Sequence, residues 1–271
     1  MSECRIITVA SQKGGTGKTT TVCNLSNALA ADGRRVLAVD MDPQANLSMS
    51  LGIERSDKLD FSMHYLLSAI MDGGAMPEKS EYALHMGNID IIPSNSDLTI
   101  TEINLRNELG GERTLSELLE PLRCDYEYII VDTNPYLGML TINALAACDG
   151  VIIPVSPQLW SATGLTDLLR TVSKIKRKIN PQIEVEGILM TMCDERTRLY
   201  RDTKVMLDEL CKDKIRIFDA RIPSTVRVGE ANYNSISILD FDGKSRAAVA
   251  YTDFSREVAR HAESGRNKAT A

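Results

Sequence analysis

Histidine is scarce in this chain, three in 271 residues, and its six cysteines are scattered. Cys4, Cys23, Cys124, Cys148, Cys193 and Cys211 form no C-x-x-C pair, and none is grouped with a histidine. That excludes the common metal-ligating patterns and leaves the cysteines as reduced core residues of a cytosolic protein. No apolar run approaches the length of a membrane span. There is no internal repeat, no low-complexity tract and no linker between folding units. Met1-Ser2-Glu3-Cys4-Arg5 leads directly into an apolar run, so neither a targeting segment nor a preceding DNA-binding domain is expected. One domain over residues 1–262 with a polar tail, 263–271, is the expectation.

What is present is an ordinary globular composition, 43% hydrophobic and 25% charged. The net charge of −6 excludes a molecule that is basic overall. The charge is uneven, however. Residues 1–169 hold 11 Lys and Arg against 22 Asp and Glu, whereas residues 170–227 hold 14 against 9. The basic surplus is local, which matters more for a partner than the total.

The most informative stretch is Ser11-Gln12-Lys13-Gly14-Gly15-Thr16-Gly17-Lys18-Thr19-Thr20. It lies between the apolar run Ile6–Ala10 and a helical pattern through Val22, Leu25, Ala28 and Leu29. Strand, glycine-rich loop and helix in that order are the context of a phosphate-binding P-loop. Glycines let backbone N–H groups turn inward onto a phosphate, and the helix N-terminus adds its dipole. Lys18 supplies a charge for the β- and γ-phosphates, Thr19 a hydroxyl for Mg2+, and Thr20 a contact to the α-phosphate. Gln12 replaces the usual first glycine and Lys13 adds a second lysine, which is the deviant Walker A form.

Further along, Val36–Val39 reads as a buried strand that ends in Asp40-Met41-Asp42-Pro43-Gln44. Carboxylates at the C-terminal end of a parallel strand lie where such sheets bind ligands, although Asp-Pro alone is also a good turn. Tyr128-Ile129-Ile130-Val131-Asp132 is an apolar strand closed by an acid, the Walker B pattern, able to hold Mg2+ through a coordinated water. Other strands are expected at Ile89–Ile92, Val151–Val155, Ile188–Met192 and Ile215–Phe218. Helices are expected over about 63–71, 97–109, 114–122, 140–147, 164–178, 203–211 and 247–261. The alternation predicts an α/β fold, a mostly parallel twisted sheet with helices on both faces.

These motifs resemble the ParA/Soj plasmid and chromosome partitioning ATPases, within the wider group that includes MinD and the nitrogenase iron protein. The resemblance covers nearly the whole chain. It is carried by Lys13–Thr20, Val39–Asn46, Ile129–Asp132 and Leu140–Leu145, and by the late loops Thr191–Thr197 and Ile222–Arg227. It implies a slow, partner-stimulated ATPase using ATP and Mg2+. Lys13 would reach across an ATP-sandwiched homodimer, Asp42 would position the attacking water, Asp40 would support the Mg2+ shell, and Asp132 would be the Walker B carboxylate. Met192 and Pro223 would lie by the adenine. Arg196 and Arg227 fall on positions associated with non-specific duplex DNA, and Arg198, Arg201, Lys204 and Arg221 are neighbours by charge. The implied partner is a ParB-like centromere-binding protein, with no membrane, in a nucleoid-associated, cytoplasmic setting.

Some positions depart from that pattern. Asn134 follows the Walker B strand where a small residue or proline is usual. Trp160 replaces a tyrosine, and Ser224-Thr225 and Glu230-Ala231-Asn232 replace Arg-Asn and Glu-Ala-Pro. The alternative is a MinD-like ATPase that positions a protein cargo or a membrane-associated partner. Its membrane form would need bulky apolar residues in a C-terminal amphipathic helix, which Glu263–Lys268 lacks. An iron-protein-like carrier would need cysteines beside the nucleotide switches, and none closely follows Asp132.

Overall fold

In a parallel sheet covered on both faces every side chain along a strand is buried, and three strands here have that property: β2 (Val36–Met41), β5 (Tyr128–Thr133) and β6 (Gly150–Val155). The computed structural model describes residues 4–158, 162–212 and 214–269. Five more strands complete the sheet: β1 (Arg5–Val9), β3 (Leu84–Met86), β4 (Ile89–Ile92), β7 (Glu184–Cys193) and β8 (Ile217–Pro223). Their spatial order is β3-β4-β2-β5-β1-β6-β7-β8. All pairs are parallel except β3 with β4. The α/β fold expected from the alternation is the fold of this chain.

Successive strand residues feed opposite cores, as the two-residue period requires. Ile6, Leu37, Val39, Ile129 and Val131 face one apolar cluster with helices Met63–Met71, Thr114–Leu119, Met139–Ala147 and Ala162–Lys178. Ile7, Val36, Ala38 and Ile130 face the other, with helices Lys18–Ala31 and Arg246–Ala269. Helix Ala162–Lys178 buries Leu165, Leu168, Val172 and Ile175, a single stripe at helical spacing. Helix Lys18–Ala31 ends just before Asp32-Gly33. Gly33 takes a left-handed φ of 81°, and its amide reaches back to the Ala30 carbonyl.

The C-terminal helix is longer than expected, Arg246–Ala269 in place of 247–261, and Glu263–Lys268 continue it. Trp160 lies outside the described residues. Among the described residues no helix is long and apolar enough to cross a membrane.

Candidate functional site

The glycine-rich loop joins the C-terminal end of β1 to helix Lys18–Ala31. Gly15 and Gly17 hold φ values of 75° and 82°, a region that costs an L side chain ~1–2 kcal/mol. The space around Gly14 is open. The loop is pinned from β7, two strands over from β1, where the Thr191 hydroxyl donates to the Thr16 carbonyl at 2.8 Å. Lys18 is 6% exposed and its Nζ donates to the Lys13 carbonyl at 3.3 Å. Lys13 itself is exposed on the outer lip of the loop.

Two further strand ends close on this loop. Asp40 of β2 and Asp132 of β5 are register partners, and both are fully buried. Asp42 is 6% exposed. Burial raises the Asp132 carboxyl well above its usual range. The neighbouring Asp40 adds to that rise, while Thr19 and Lys18 oppose it. Burial likewise pushes Asp40 up to about 6, although its hydrogen bonds to Ser48 and Asp42 resist. Lys18 is lowered by burial, against the pull of Asp132 and Asp42. Three buried carboxylates thus face one buried ammonium, an imbalance that a divalent cation would relieve.

The two candidate metal-supporting acids differ. Both Asp40 oxygens are engaged: Oδ1 accepts the Asp42 amide at 3.1 Å, and Oδ2 accepts the Ser48 amide and hydroxyl at 2.9 and 2.8 Å. Asp132 Oδ1 accepts the Thr133 amide at 3.0 Å, but its buried Oδ2 makes no hydrogen bond. Thr19 lies close enough to ease the charge of Asp132 without hydrogen-bond geometry to that oxygen. Asp132 and Thr19 therefore fit a Mg2+ ion better than Asp40 does, and Asp40 acts as the anchor of the β2 loop. Among the described residues no three His, Cys, Asp or Glu side chains form a metal cage. Mg2+ is commonly held by one or two carboxylates plus phosphate and water.

Two non-glycine residues in left-handed backbone border the site, Ala45 at φ 51° and Met192 at φ 52°. Such strain costs about 1–3 kcal/mol and clusters at functional sites. Met192 and Pro223 stand at the C-terminal ends of the paired strands β7 and β8. A Cβ added at Gly17 would touch the Met192 methyl at 3.9 Å.

The AAA domain family matches residues 4–185. The sporulation initiation inhibitor protein Soj of Bacillus subtilis is 39% identical over 255 residues, 94% of this chain and 98% of Soj. The chromosome partitioning protein ParA of Caulobacter vibrioides is 36% identical over 256 residues, 94% of this chain and 93% of that protein. The chain belongs to the ParA/Soj family. A solved Mycobacterium smegmatis protein described as cobyrinic acid a,c-diamide synthase, with bound ADP and magnesium, is similar in fold. It is 35% identical with a TM-score of 0.82, over 97% of this chain and 96% of its own.

The ParA/Soj-type site has support that motif reading missed. Ser48 holds Asp40 from the short helix Asn46–Ser50, and its hydroxyl also accepts the Ser94 amide at 3.1 Å. Thr191 pins the loop, and Asn232 reaches Thr20. Thr191 opens a late loop quoted above and Asn232 is one of the departures noted there, but no motif names these contacts; only the fold brings them together. Asn134 builds a local turn, its Oδ1 accepting from the Tyr136 amide at 3.2 Å and the Thr141 hydroxyl at 3.1 Å.

The three arginines singled out for DNA share the loop end of the sheet with the P-loop, but each is paired with an acid. Arg196 pairs with Asp194 at 2.9 Å and Arg198 with Asp202 at 3.3 Å. Arg227 pairs with both Glu230 and Asp242, at 2.9 and 3.0 Å, and lies over the Phe241 ring. Among the described residues Arg201 and Lys204 form no ion pair.

Proposed function

We propose that this chain is an ATP-dependent dimerisation switch that binds duplex DNA without sequence preference and hydrolyses ATP to partition a DNA cargo. The observation that carries the reading is the convergence of buried Lys18, Asp42 and the unpaired Asp132 oxygen on a glycine loop whose second lysine, Lys13, stands exposed. The bound triphosphate and Mg2+ supply the scissile phosphoryl group and its charge neutralisation. Thr19 and Asp132 would hold the metal. Lys18 and the loop amides position the phosphates, and Asp42 orients water. Lys13 completes the charge in the partner subunit, so turnover depends on dimerisation.

Phosphoryl transfer rests mostly on positioning and electrostatics. Withholding one lysine until dimerisation therefore makes basal hydrolysis slow. The expected activator is a ParB-like centromere-bound protein, and the expected setting is the nucleoid. Arg196, Arg198 and Arg227, with Arg201 and Lys204, form the DNA face, doubled in the dimer.

Two measurements test the reading together: phosphate release, and retention on duplex DNA with ATP, ADP or no nucleotide. Wild type is expected to be retained only with ATP. Retention should fall steeply between low and physiological salt, as phosphate contacts require. Asp42→Ala should prolong the retained state and stop phosphate release. A wild-type chain that ignores DNA in every nucleotide state refutes the DNA half of the reading.

A further inference from the structure

Two asparagines tie the late segment of the chain to the first turn of the P-loop helix. Asn232 donates through Nδ2 to the Thr20 hydroxyl at 3.4 Å. Asn24 donates to the Thr20 carbonyl at 2.8 Å and accepts the Ile238 amide, also at 2.8 Å. Thr20 is thus held from both its side chain and its backbone, two residues beyond Lys18.

The helix that carries Asn232, Val226–Tyr233, is lightly anchored. Ala231 is its one buried residue, and Val226 and Tyr233 are 76% and 90% exposed. The chain leaves it through Ser235, in left-handed backbone at φ 55°. The same helix carries Arg227, whose partners Asp242 and Phe241 lie on helix Ile238–Asp242, the one that Asn24 holds. A helix with so few apolar contacts takes its order from its polar contacts.

We propose that Asn232 is a positioning residue through which a phosphate at the P-loop orders the helix bearing Arg227. The inference rests on the reading above that this loop binds nucleotide. Its direction follows from the hydrogen-bond inventory. Asn232 donates to Thr20, so the single Thr20 proton is free for a phosphate oxygen. Donation then runs one way, from carboxamide to hydroxyl to phosphate, and each link polarises the next. Bound phosphate tightens the Asn232 contact and with it the Arg227 helix.

The test is amide hydrogen exchange over residues 226–233 in wild type, Asn232→Ala and Asn232→Asp, without nucleotide and at saturating ADP. ADP binding is measured on the same samples by calorimetry. In wild type ADP should slow exchange about three- to tenfold, the range of one neutral hydrogen bond. In Asn232→Ala saturating ADP should leave that exchange unchanged. Asn232→Asp can only accept, so it draws the Thr20 proton away from the phosphate. It should keep slow exchange without nucleotide and lose about tenfold or more in ADP affinity, because two negative groups then face each other. Equal slowing in wild type and Asn232→Ala overturns the inference and leaves the nucleotide reading standing. No ADP binding to wild type overturns both.

Discussion

On the function proposed above, Lys18 and Asp132 hold phosphate and metal at a cost in stability, because both are buried and each is only partly neutralised. Replacing Asp132 by asparagine removes a buried charge beside Asp40. Asp132→Asn should therefore raise the nucleotide-free melting point, by the equivalent of about 0.5–2 kcal/mol, while phosphate release falls at least about a hundredfold. Calorimetry and a phosphate assay on one preparation check both signs. The thiols allow a second prediction. Burial pushes Cys23, Cys148 and Cys193 each up to about 12. Unfolded thiols ionise near ~8.5, so above that pH the unfolded chain binds fewer protons than the folded one. Their contribution to stability is complete below about 8.5 and is lost as pH rises toward 12, at up to ~1.4 kcal/mol per pH unit for each thiol. Denaturation midpoints from pH 8 to 11 should fall accordingly, and at neutral pH a thiol reagent should label Cys124, the exposed one, first. At this scale the P-loop and the aspartates Asp40, Asp42 and Asp132 were legible because they close apolar strands beside a glycine-rich loop. The contacts of Ser48, Thr191 and Asn232 were not, because their partners lie on other elements.

Elements were legible where burial is one-sided or complete. β2, β5 and β6 are continuous apolar runs, whereas β8 alternates buried Phe218, Ala220 and Ile222 with Asp219 and Arg221. Those charges hid its second half, so the strand expected at 215–218 runs Ile217–Pro223. β3, an antiparallel edge of three residues with exposed His85 at its centre, offered no pattern at all. Helix Arg198–Cys211 begins five residues earlier than expected; the signal was Thr197, whose hydroxyl caps the Tyr200 amide at 3.2 Å. The edge strand β8 is clasped by Glu257 of helix Arg246–Ala269. Its carboxylate accepts the Asp219 and Ala220 amides at 2.9 and 2.6 Å and the Arg216 guanidinium at 2.9 Å. Glu257→Ala leaves two amides and a guanidinium without that acceptor on a sheet edge. A loss of about 2–4 kcal/mol in chemical denaturation is expected, with faster aggregation on heating. Near that clasp, at the N-terminal end of β7, Glu186 is the extra residue of a bulge between β6 and β7, and bonds Arg5 and His261. A Cβ on Gly150 would stand 2.2 Å from Glu186 Oε1. Gly150→Ala should therefore destabilise by about 1–3 kcal/mol, the usual cost of overpacking. An unchanged midpoint would show that Glu186 moves aside freely.

Across the whole molecule, charge and architecture point the same way. The acidic surplus lies in residues 1–169 and the basic surplus in 170–227. β7 and β8 bring Arg196, Arg198 and Arg227 of that segment to the same sheet end as the P-loop, while Lys174–Lys178 and Lys212, Lys214 and Arg216 stand before the starts of these two strands, at the other end. On the proposed reading, the nucleotide and DNA faces therefore lie at one end of the sheet, with Asn232 between them. On the proposed reading Lys13, exposed in the single chain, completes the site of a second copy. The most direct measurement is the solution mass by light scattering of wild type and Lys13→Ala, each with ATP, with ADP and without nucleotide. ATP alone should double the mass of wild type, and Lys13→Ala should keep the mass of one chain in all three conditions. A wild type that stays at one chain with ATP, or a Lys13→Ala variant that doubles as readily as wild type, would contradict that reading.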